Sequence, residues 1–524
     1  MNVRQRAPHG GGRTAQINAP AGSNPTTALP ASDPLSPFDN LFLVSEGQAT
    51  HMHVAVTAIF EPGTLMNGSG GVDIERIRNY IAARLHWIPR YRQRLKYTPL
   101  LGSPMWVDDE RFNINYHVRH ASLPRPGDEQ QLQALAGRIK SQQLDREKPL
   151  WETYIVEGLD GGRFAMITKA HHCMIDGVSG ADLLAVLLQP FPQDTPPTPT
   201  PFKPRPAPTW RGLLRNDLAR RVAAPLNVAS RLIADPTAAW DEIRTAAAAV
   251  AGMLPSVRRA SATPFNGPIG PYRRFDWLAM DLNAVKAVKN ALGGTVNDVV
   301  LATVAGAVRR FLQGRRVNVD ALDFRALVPV SVRRPEERGA MGNRVAAWLA
   351  DLPVAERNPR LRLATLCKTT AGLKQSQQAT GAEVLAGVTG WTGSSILSIA
   401  LQLAFQARPF NLVVTNVPGP QVPLYLLDAP MRAVYPQVPL FPNQGLGVAL
   451  FSYAGTLHWG FNADWELLPD LSDFVTAVQD SFSELQVAAG AGRRRPAAWR
   501  PTARRRRRRV HTATLSTGSE RPVD

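Results

Sequence analysis

Short apolar runs bounded by turn residues alternate along this chain with longer stretches in which apolar side chains recur every three or four positions. That alternation predicts a mixed α/β protein. Val54 to Phe60, Phe164 to Thr168, Phe275 to Met280 and Phe324 to Val330 have the strand pattern, and Gly445, Gly447 and Gly455 around Phe451 predict a closely packed strand pair. Helices are predicted over Asp73 to Leu85, with Ile74, Ile77 and Ile81 on one face and an acidic first turn, and over Leu282 to Leu292 and Val296 to Leu312. The longest apolar runs, Val299 to Val308 and Ile396 to Phe405, reach about half of the roughly 20 residues that a membrane span needs, so they are expected to be core helices.

A chain of 524 residues with 44% hydrophobic content is too long for one compact domain, so two are expected. The expected division is a disordered leader over 1–33 and an N-terminal domain over 34–189. A connector over 190–262, a C-terminal domain over 263–485 and a disordered tail over 486–524 complete it. The leader carries Gly10, Gly11 and Gly12 and no apolar core of the signal-peptide kind. Nine prolines between Pro190 and Trp210 predict a stiff extended linker, followed over Arg211 to Leu254 by helical pieces broken at Pro225 and Pro236.

Charge changes the picture at the C-terminus. Residues 493–524 hold eleven arginines against Glu520 and Asp524, half of the formal net charge of +18. Such a run is expected to be disordered and to seek anionic surfaces, phospholipid headgroups or nucleic acid. A second basic cluster, Arg90, Arg92, Arg94 and Lys96 around Tyr91, is expected to be a solvated surface, with CoA phosphates or lipid headgroups as the alternative it would face. Two cysteines, Cys173 and Cys367, leave no disulfide framework and fit a reducing compartment.

Candidate chemistry concentrates in Lys169-Ala170-His171-His172-Cys173-Met174-Ile175-Asp176-Gly177, which follows the predicted strand Phe164 to Thr168. Successive side chains on a strand point to opposite faces, so one histidine of the pair is expected to act. An imidazole with an ordinary pKa of about 6.5 is mostly neutral and can accept a proton. It cannot ionise an alcohol outright: with a pKa of about 15.7 as proxy the gap is about 9 units, on the order of 12 kcal/mol. Proton removal must therefore be concerted with attack on an electrophile. Asp176 has two readings, orienting the ring nitrogen that does not react or pinning the loop through an arginine. Asn297, at the start of a predicted helix, is either an N-cap or a donor facing a pocket.

Competing chemistries lack their residues. His51 and His53 share a face of an extended segment, but no further ligand completes a metal site. Gly177-Val178-Ser179-Gly180-Ala181 lacks the last glycine of a nucleophile elbow, and Leu450 stands where a dinucleotide-binding loop needs its last glycine. Cys173 points away from its neighbour His172 on an extended chain, which argues against a thiol nucleophile.

The segment His171 to Gly177 resembles the HHxxxDG signature of the bacterial wax ester synthase/acyl-CoA:diacylglycerol acyltransferases. Further segments fall in that family's order: Leu35-Ser36-Pro37-Phe38-Asp39, Met52-His53-Val54, Pro149-Leu150-Trp151-Glu152 and Asn266-Gly267-Pro268-Ile269-Gly270-Pro271 with Arg273-Arg274. Thr295-Val296-Asn297-Asp298-Val299 and Asn416-Val417-Pro418-Gly419-Pro420 follow. The resemblance covers about residues 34 to 485; the arginine tail departs from it.

The resemblance implies two CoA-dependent acyltransferase-like α/β domains, of the chloramphenicol acetyltransferase and condensation-domain type, with the active site at their interface. It implies acyl transfer from acyl-CoA, a co-substrate, to diacylglycerol or a long-chain fatty alcohol, with no cofactor and no metal. His172 is implied as proton acceptor, His171 as secondary, Asp176 as loop support through Arg273 or Arg274, and Asn297 as orienting the acceptor or an oxyanion. The expected location is cytoplasmic, peripheral to the inner membrane face or to lipid bodies. A non-catalytic lipid-surface protein and a carrier-dependent condensation enzyme are the rival readings.

Overall fold

The structure is a computed structural model that describes residues 33–66, 71–99, 102–174, 184, 186–195, 198–199, 201–215, 217, 219, 259–331, 345–375 and 408–490. The first half runs β1 (Asp33–Pro34), α1 (Pro37–Ser45), β2 (His53–Phe60), α2 (Ile74–Arg84), β3 (Gln93–Tyr97), β4 (Pro104–Asp108), α3 (Ile114–His117), β5 (Val118–Ser122), α4 (Glu129–Ser141), β6 (Trp151–Glu157) and β7 (Phe164–His171). The second half runs β8 (Arg273–Asp281), α5 (Leu282–Leu292), α6 (Val296–Gly314), β9 (Arg325–Ser331), β10 (Val345–Asp351) and α7 (Pro359–Gln375). It continues with β11 (Leu412–Pro418), β12 (Tyr425–Leu426), β13 (Ala429–Gln437), β14 (Leu446–Tyr453), β15 (Thr456–Asp464) and α8 (Leu471–Ala488).

The strand expectations over 54–60, 164–168, 275–280 and 324–330 fall on β2, β7, β8 and β9, and the predicted glycine-rich pair is the β14–β15 hairpin. All eight residues of β7 and of β14 are buried, which explains their unbroken apolar runs. The helices start where their caps dictate. Asp73 accepts the Arg76 N–H at 3.0 Å, and Asp128 with Gln131 and Thr295 with Asp298 form capping boxes. Helix α6 is buried on nearly every side against α5, α7 and α8, the core placement expected for Val299 to Val308. No single helix among the described residues is long and apolar enough to cross a membrane.

Two six-stranded sheets form the frame, ordered β12-β13-β2-β7-β6-β5 and β10-β9-β11-β14-β15-β8. The pairing does not follow chain order: β12 and β13 come from the second half yet extend the first sheet, Gln437 to Val434 pairing antiparallel with Ala55 to Ala58. On its other side β13 crosses β15, where a Cβ on Gly460 would lie 1.9 Å from the Pro436 carbonyl oxygen. Helix α4 is wedged between the halves, and Gly137 makes that possible: a Cβ there would meet the Arg273 carbonyl oxygen at 2.8 Å. The interface core joins Leu132, Ile139, Ile59 and Ile167 to Phe275, Trp277 and Tyr435, with Trp277 and Tyr435 stacked at 4.6 Å.

The basic cluster expected on a solvated surface is packed instead. Arg92 is buried with its guanidinium 4.8 Å above the Phe202 ring, and Arg90 pairs with Asp33 at 2.8 Å and covers Trp106. For Arg92 the reason is the proline-rich linker, which lies along the first half. Arg205 grips Asp108 with its backbone N–H and guanidinium at 2.6–3.0 Å, and Gln193 donates to the Leu427 carbonyl. The leader, most of the helical connector, Ile396 to Phe405 and the arginine tail lie outside the described residues.

Gly460→Ala tests the crossing. It should destabilise the chain by about 1–3 kcal/mol, as overpacking does, seen as a lower midpoint in thermal unfolding. An unchanged midpoint would show that β13 can move away from β15 freely.

Candidate active site

Strand β7 ends at His171, and the chain turns immediately through a single 3-10 turn over His172–Met174. The turn separates the two histidines. His171 stays on the sheet, fully buried and paired in register with His53 of β2, their rings 5.7 Å apart edge to face. His172 leaves the sheet and stacks on Phe42 of α1 at 3.8 Å with planes 16° apart. The expectation that the two rings part company is met by a change of element rather than by strand alternation.

The surroundings of His172 set its proton affinity. Its Nδ1 is buried without a hydrogen-bond partner, which leaves Nε2 as the nitrogen open to a substrate. Burial pushes its pKa down to about 4, helped by His171 and Lys140 and opposed by the residue's own carbonyl. At neutral pH the ring is an unprotonated base.

Behind it lies a buried polar layer. Glu46, just past the C-terminal end of α1, has a side chain only 1% exposed. Its Oε1 is 3.2 Å from His53 Nε2 and accepts the Met52 N–H at 3.3 Å; its Oε2 accepts from Arg146 Nη2 at 2.6 Å and Nε at 3.1 Å. His171 Nε2 faces the same oxygen at 3.5 Å, an electrostatic contact too long and poorly aligned for a hydrogen bond. Burial would raise the Glu46 pKa, but contacts with His171 and His53 more than offset it, so the carboxylate stays ionised. Burial lowers the pKa of both histidines, His53 the more strongly, so we assign neutral rings beside an anion balanced by Arg146. Lys169 lies in the same layer, closing the C-terminal end of α4 through the Ile139 and Gln142 carbonyls at 3.1 and 2.9 Å and facing Glu152 at 3.4 Å.

The other segments singled out in the sequence mostly support this region. The Leu150 carbonyl accepts the His171 N–H at 2.9 Å, and Trp151 is buried with its Nε1 donating to the Tyr91 carbonyl at 2.8 Å. Asn266 bonds the Asn411 and Asn443 carbonyls, and Asp464 accepts the Gly270 N–H at 2.8 Å. A Cβ on Gly419 would sit 2.3 Å from the Phe451 ring. Arg273 is buried, donates to the Gly270, Tyr272 and Ala49 carbonyls and lies 3.7 Å from Asp464, so it ties the second half to the loop before β2. Arg274 instead covers the Trp465 ring at 3.7 Å. Asp176 lies outside the described residues.

Asn297 is half-buried in the first turn of α6 and is not its cap. Thr295 caps the helix, and Asp298 completes the box and accepts from Thr370 of α7 at 2.7 Å. No hydrogen bond among the described residues joins Asn297 to His172. The metal reading of His51 and His53 finds no support: the His51 Nε2 lies 3.1 Å from the Gln48 carbonyl, Arg146 occupies Glu46, and no cluster among the described residues could hold an ion. Cys173 is fully buried, and burial raises its thiol pKa well above the ordinary value, so it carries no thiolate. Sequence reasoning missed Phe42, Glu46 and Arg146; the segment Leu35 to Asp39, which opens α1, was the only pointer to them.

Residues 35–300 match the wax ester synthase/diacylglycerol acyltransferase catalytic domain, and residues 341–486 match the WS/DGAT C-terminal domain. The chain belongs to the wax ester synthase/diacylglycerol acyltransferase family. It is 32% identical to a putative diacylglycerol O-acyltransferase of Mycobacterium tuberculosis, over 87% of this chain and 90% of that protein. It is also 32% identical to a probable diacylglycerol O-acyltransferase, tgs1, of the same species, over 86% and 95%. The solved wax ester synthase/diacylglycerol acyltransferase of Marinobacter aquaeolei VT8 superposes with a TM-score of 0.61 at 27% identity, covering 87% of this chain and all of that one.

The trichothecene 15-O-acetyltransferase of Fusarium sporotrichioides shares the fold alone, with a TM-score of 0.56 at 9% identity over 88% of this chain and 97% of that one. As a WS/DGAT member this chain is an acyltransferase with the two-domain α/β fold of condensation and CoA-dependent acyltransferase enzymes.

Removing the Phe42 ring opens His172 to water. In Phe42→Ala the His172 pKa, followed by nitrogen-15 NMR, should rise from about 4 toward the ordinary 6.5. No movement would mean that other walls bury the imidazole.

Proposed function

We propose that this protein transfers a fatty acyl group from acyl-CoA to the free hydroxyl of a diacylglycerol, and to a long-chain alcohol where one is supplied. The observation that carries the reading is His172: a neutral imidazole with one nitrogen buried and the other open, held in a turn at the end of a rigid strand. The diacylglycerol O-acyltransferase relatives supply the substrate class.

In this reading His172 Nε2 takes the hydroxyl proton as the alcohol oxygen bonds to the thioester carbonyl carbon. The tetrahedral intermediate then breaks its C–S bond, and the imidazolium returns the proton to the departing CoA sulfur. A base held near 4 is weak, which makes concerted transfer the only economical path. Asn297 is assigned the acceptor or the developing oxyanion, and Asp176 the loop that follows His172. The location is the inner face of a membrane or a lipid body, reached through the arginines of residues 493–524, each worth about 1 kcal/mol near anionic headgroups.

The deciding experiment is release of CoA thiol from palmitoyl-CoA with a diacylglycerol, with hexadecanol and with no acceptor. Acceptor-dependent release should fall by about 10² to 10⁴ in His172→Ala. Release without acceptor points to a thioesterase, and none from folded protein points to a carrier-bound donor or a non-catalytic role.

The pH profile supplies a second check. The active form is the deprotonated ring, so a lowered pKa moves the loss of kcat/KM down toward pH 4. The same shift weakens the fold as pH falls from 6.5 through 4, because the unfolded chain binds the proton first. Circular dichroism at each pH separates the two effects, and an acid limb near 6.5 in folded enzyme contradicts the assignment.

Removing residues 491–524 should reduce cosedimentation with anionic vesicles at low salt while leaving thiol release from detergent-dispersed substrate within about two-fold. Unchanged vesicle binding would remove the tail from the membrane contact.

A further inference from the structure

Among the described residues, Glu46 is the carboxylate that reaches both sides of the turn bearing His172. One route runs through the backbone: its Oε1 accepts the Met52 N–H at 3.3 Å, and the Met52 carbonyl accepts the His172 N–H at 2.7 Å. The second runs through a ring: its Oε2 faces His171 Nε2 at 3.5 Å, and His171 Nδ1 accepts the Cys173 N–H at 3.2 Å. The two consecutive amides of the turn are therefore both fixed, one on each side of the His172 side chain. A third connection passes through Arg146, which holds Oε2 and also donates to the Leu43 carbonyl at 3.1 Å, beside the Phe42 that stacks on His172.

The geometry also decides the His171 tautomer. An acceptor at Nδ1 needs its lone pair there, so the neutral ring carries its proton on Nε2. That N–H points into a fully buried space where Glu46 is the nearest acid. The Cys173 N–H at Nδ1 and the Glu46 anion facing Nε2 both favour this tautomer; replacing the anion by a neutral group removes the second of these, and a ring that shifts its proton to Nδ1 can no longer accept from Cys173.

We propose that Glu46 is a positioning residue for acyl transfer. It holds His171 as the Nε2–H tautomer and Met52 in register, and these two fix the turn that aims His172 at the substrate hydroxyl. His171 then acts as a strut, without contact to substrate. The proposal rests on His172 being the base, and it assigns the first histidine of the pair a physical task through a residue 125 positions upstream.

The test combines a tautomer readout with kinetics on full-length protein. Nitrogen-15 spectra of histidine-labelled wild type should show His171 as a single Nε2–H tautomer, and Glu46→Gln should show a mixture. In the same variant kcat for acceptor-dependent thiol release should fall by about 10²-fold, the effect of a small misplacement, with KM within about three-fold. His171→Asn keeps an acceptor near the Nδ1 position and should retain at least about ten-fold more kcat than His171→Leu, which keeps none, at equal folded fraction.

A single unchanged tautomer with near-wild-type kcat in Glu46→Gln overturns the proposal. So does equal impairment of His171→Asn and His171→Leu, which would mean that the ring serves packing alone. Were His172→Ala to keep acceptor-dependent release, the base assignment would fail. The His171 tautomer in Glu46→Gln would still report separately whether Glu46 controls it.

Discussion

The loan of one strand from the second half to the first sheet is the constraint on which the rest of this structure depends. With β13 hydrogen-bonded along β2, the two halves of the chain are joined through backbone as well as through side chains. Strand β2 is thereby covered on both edges, by β13 and by β7, and its register with β7 places His53 opposite His171. Backbone pairing of this kind is expensive to break, because each freed N–H and C=O needs a new partner. The turn bearing His172 is therefore attached to a frame that both halves build. Gly460 and Gly137 are two places where backbones approach too closely for a Cβ, one under β13 and one under α4.

A buried layer of charge sits at the junction, and its composition explains why so many segments are needed for one histidine. Glu46, Glu152, Lys140, Lys169 and Arg273 are each nearly excluded from water in their side chains. Isolated, each would be strongly unfavourable; paired, removing one partner costs about 3–5 kcal/mol because the other is left uncompensated. Lys140 donates to the His53 carbonyl, Arg273 to the Ala49 carbonyl and Arg146 to Glu46, so basic side chains from three separate segments close on the loop between α1 and β2. Such a layer tolerates little movement, which suits the role proposed for His172, a base that needs a fixed direction more than a high affinity for protons.

The shift in His172 follows from the same architecture. A ring packed flat on Phe42 with one nitrogen buried has little access to water for its charged form. The weaker base that results stays free of protons at neutral pH, and in the proposed reaction it forms imidazolium only while negative charge develops on the substrate. The balance between lower basicity and constant readiness is set by α1, an element whose sequence carries no titratable group aimed at the substrate in this reading.

The sequence by itself determined the elements and the family. Apolar runs and spacing placed β2, β7, β8, β9, α2, α5 and α6 close to their observed bounds, because period and capping are local properties of the chain. The pair His171-His172 stood out as the candidate chemical centre, and the ordered motifs made the family readable. The tertiary structure decided the rest. That Arg92 is packed under a linker over 100 residues away, that Arg90 pairs with Asp33 and that β13 belongs to the first sheet depend on contacts with no local signature. Asn297 gives way to Thr295 as the cap, and Glu46 serves both His53 and His171, for the same reason. Sequence spacing records what a residue's neighbours along the chain require of it, whereas burial of charge is settled only when distant segments close over it.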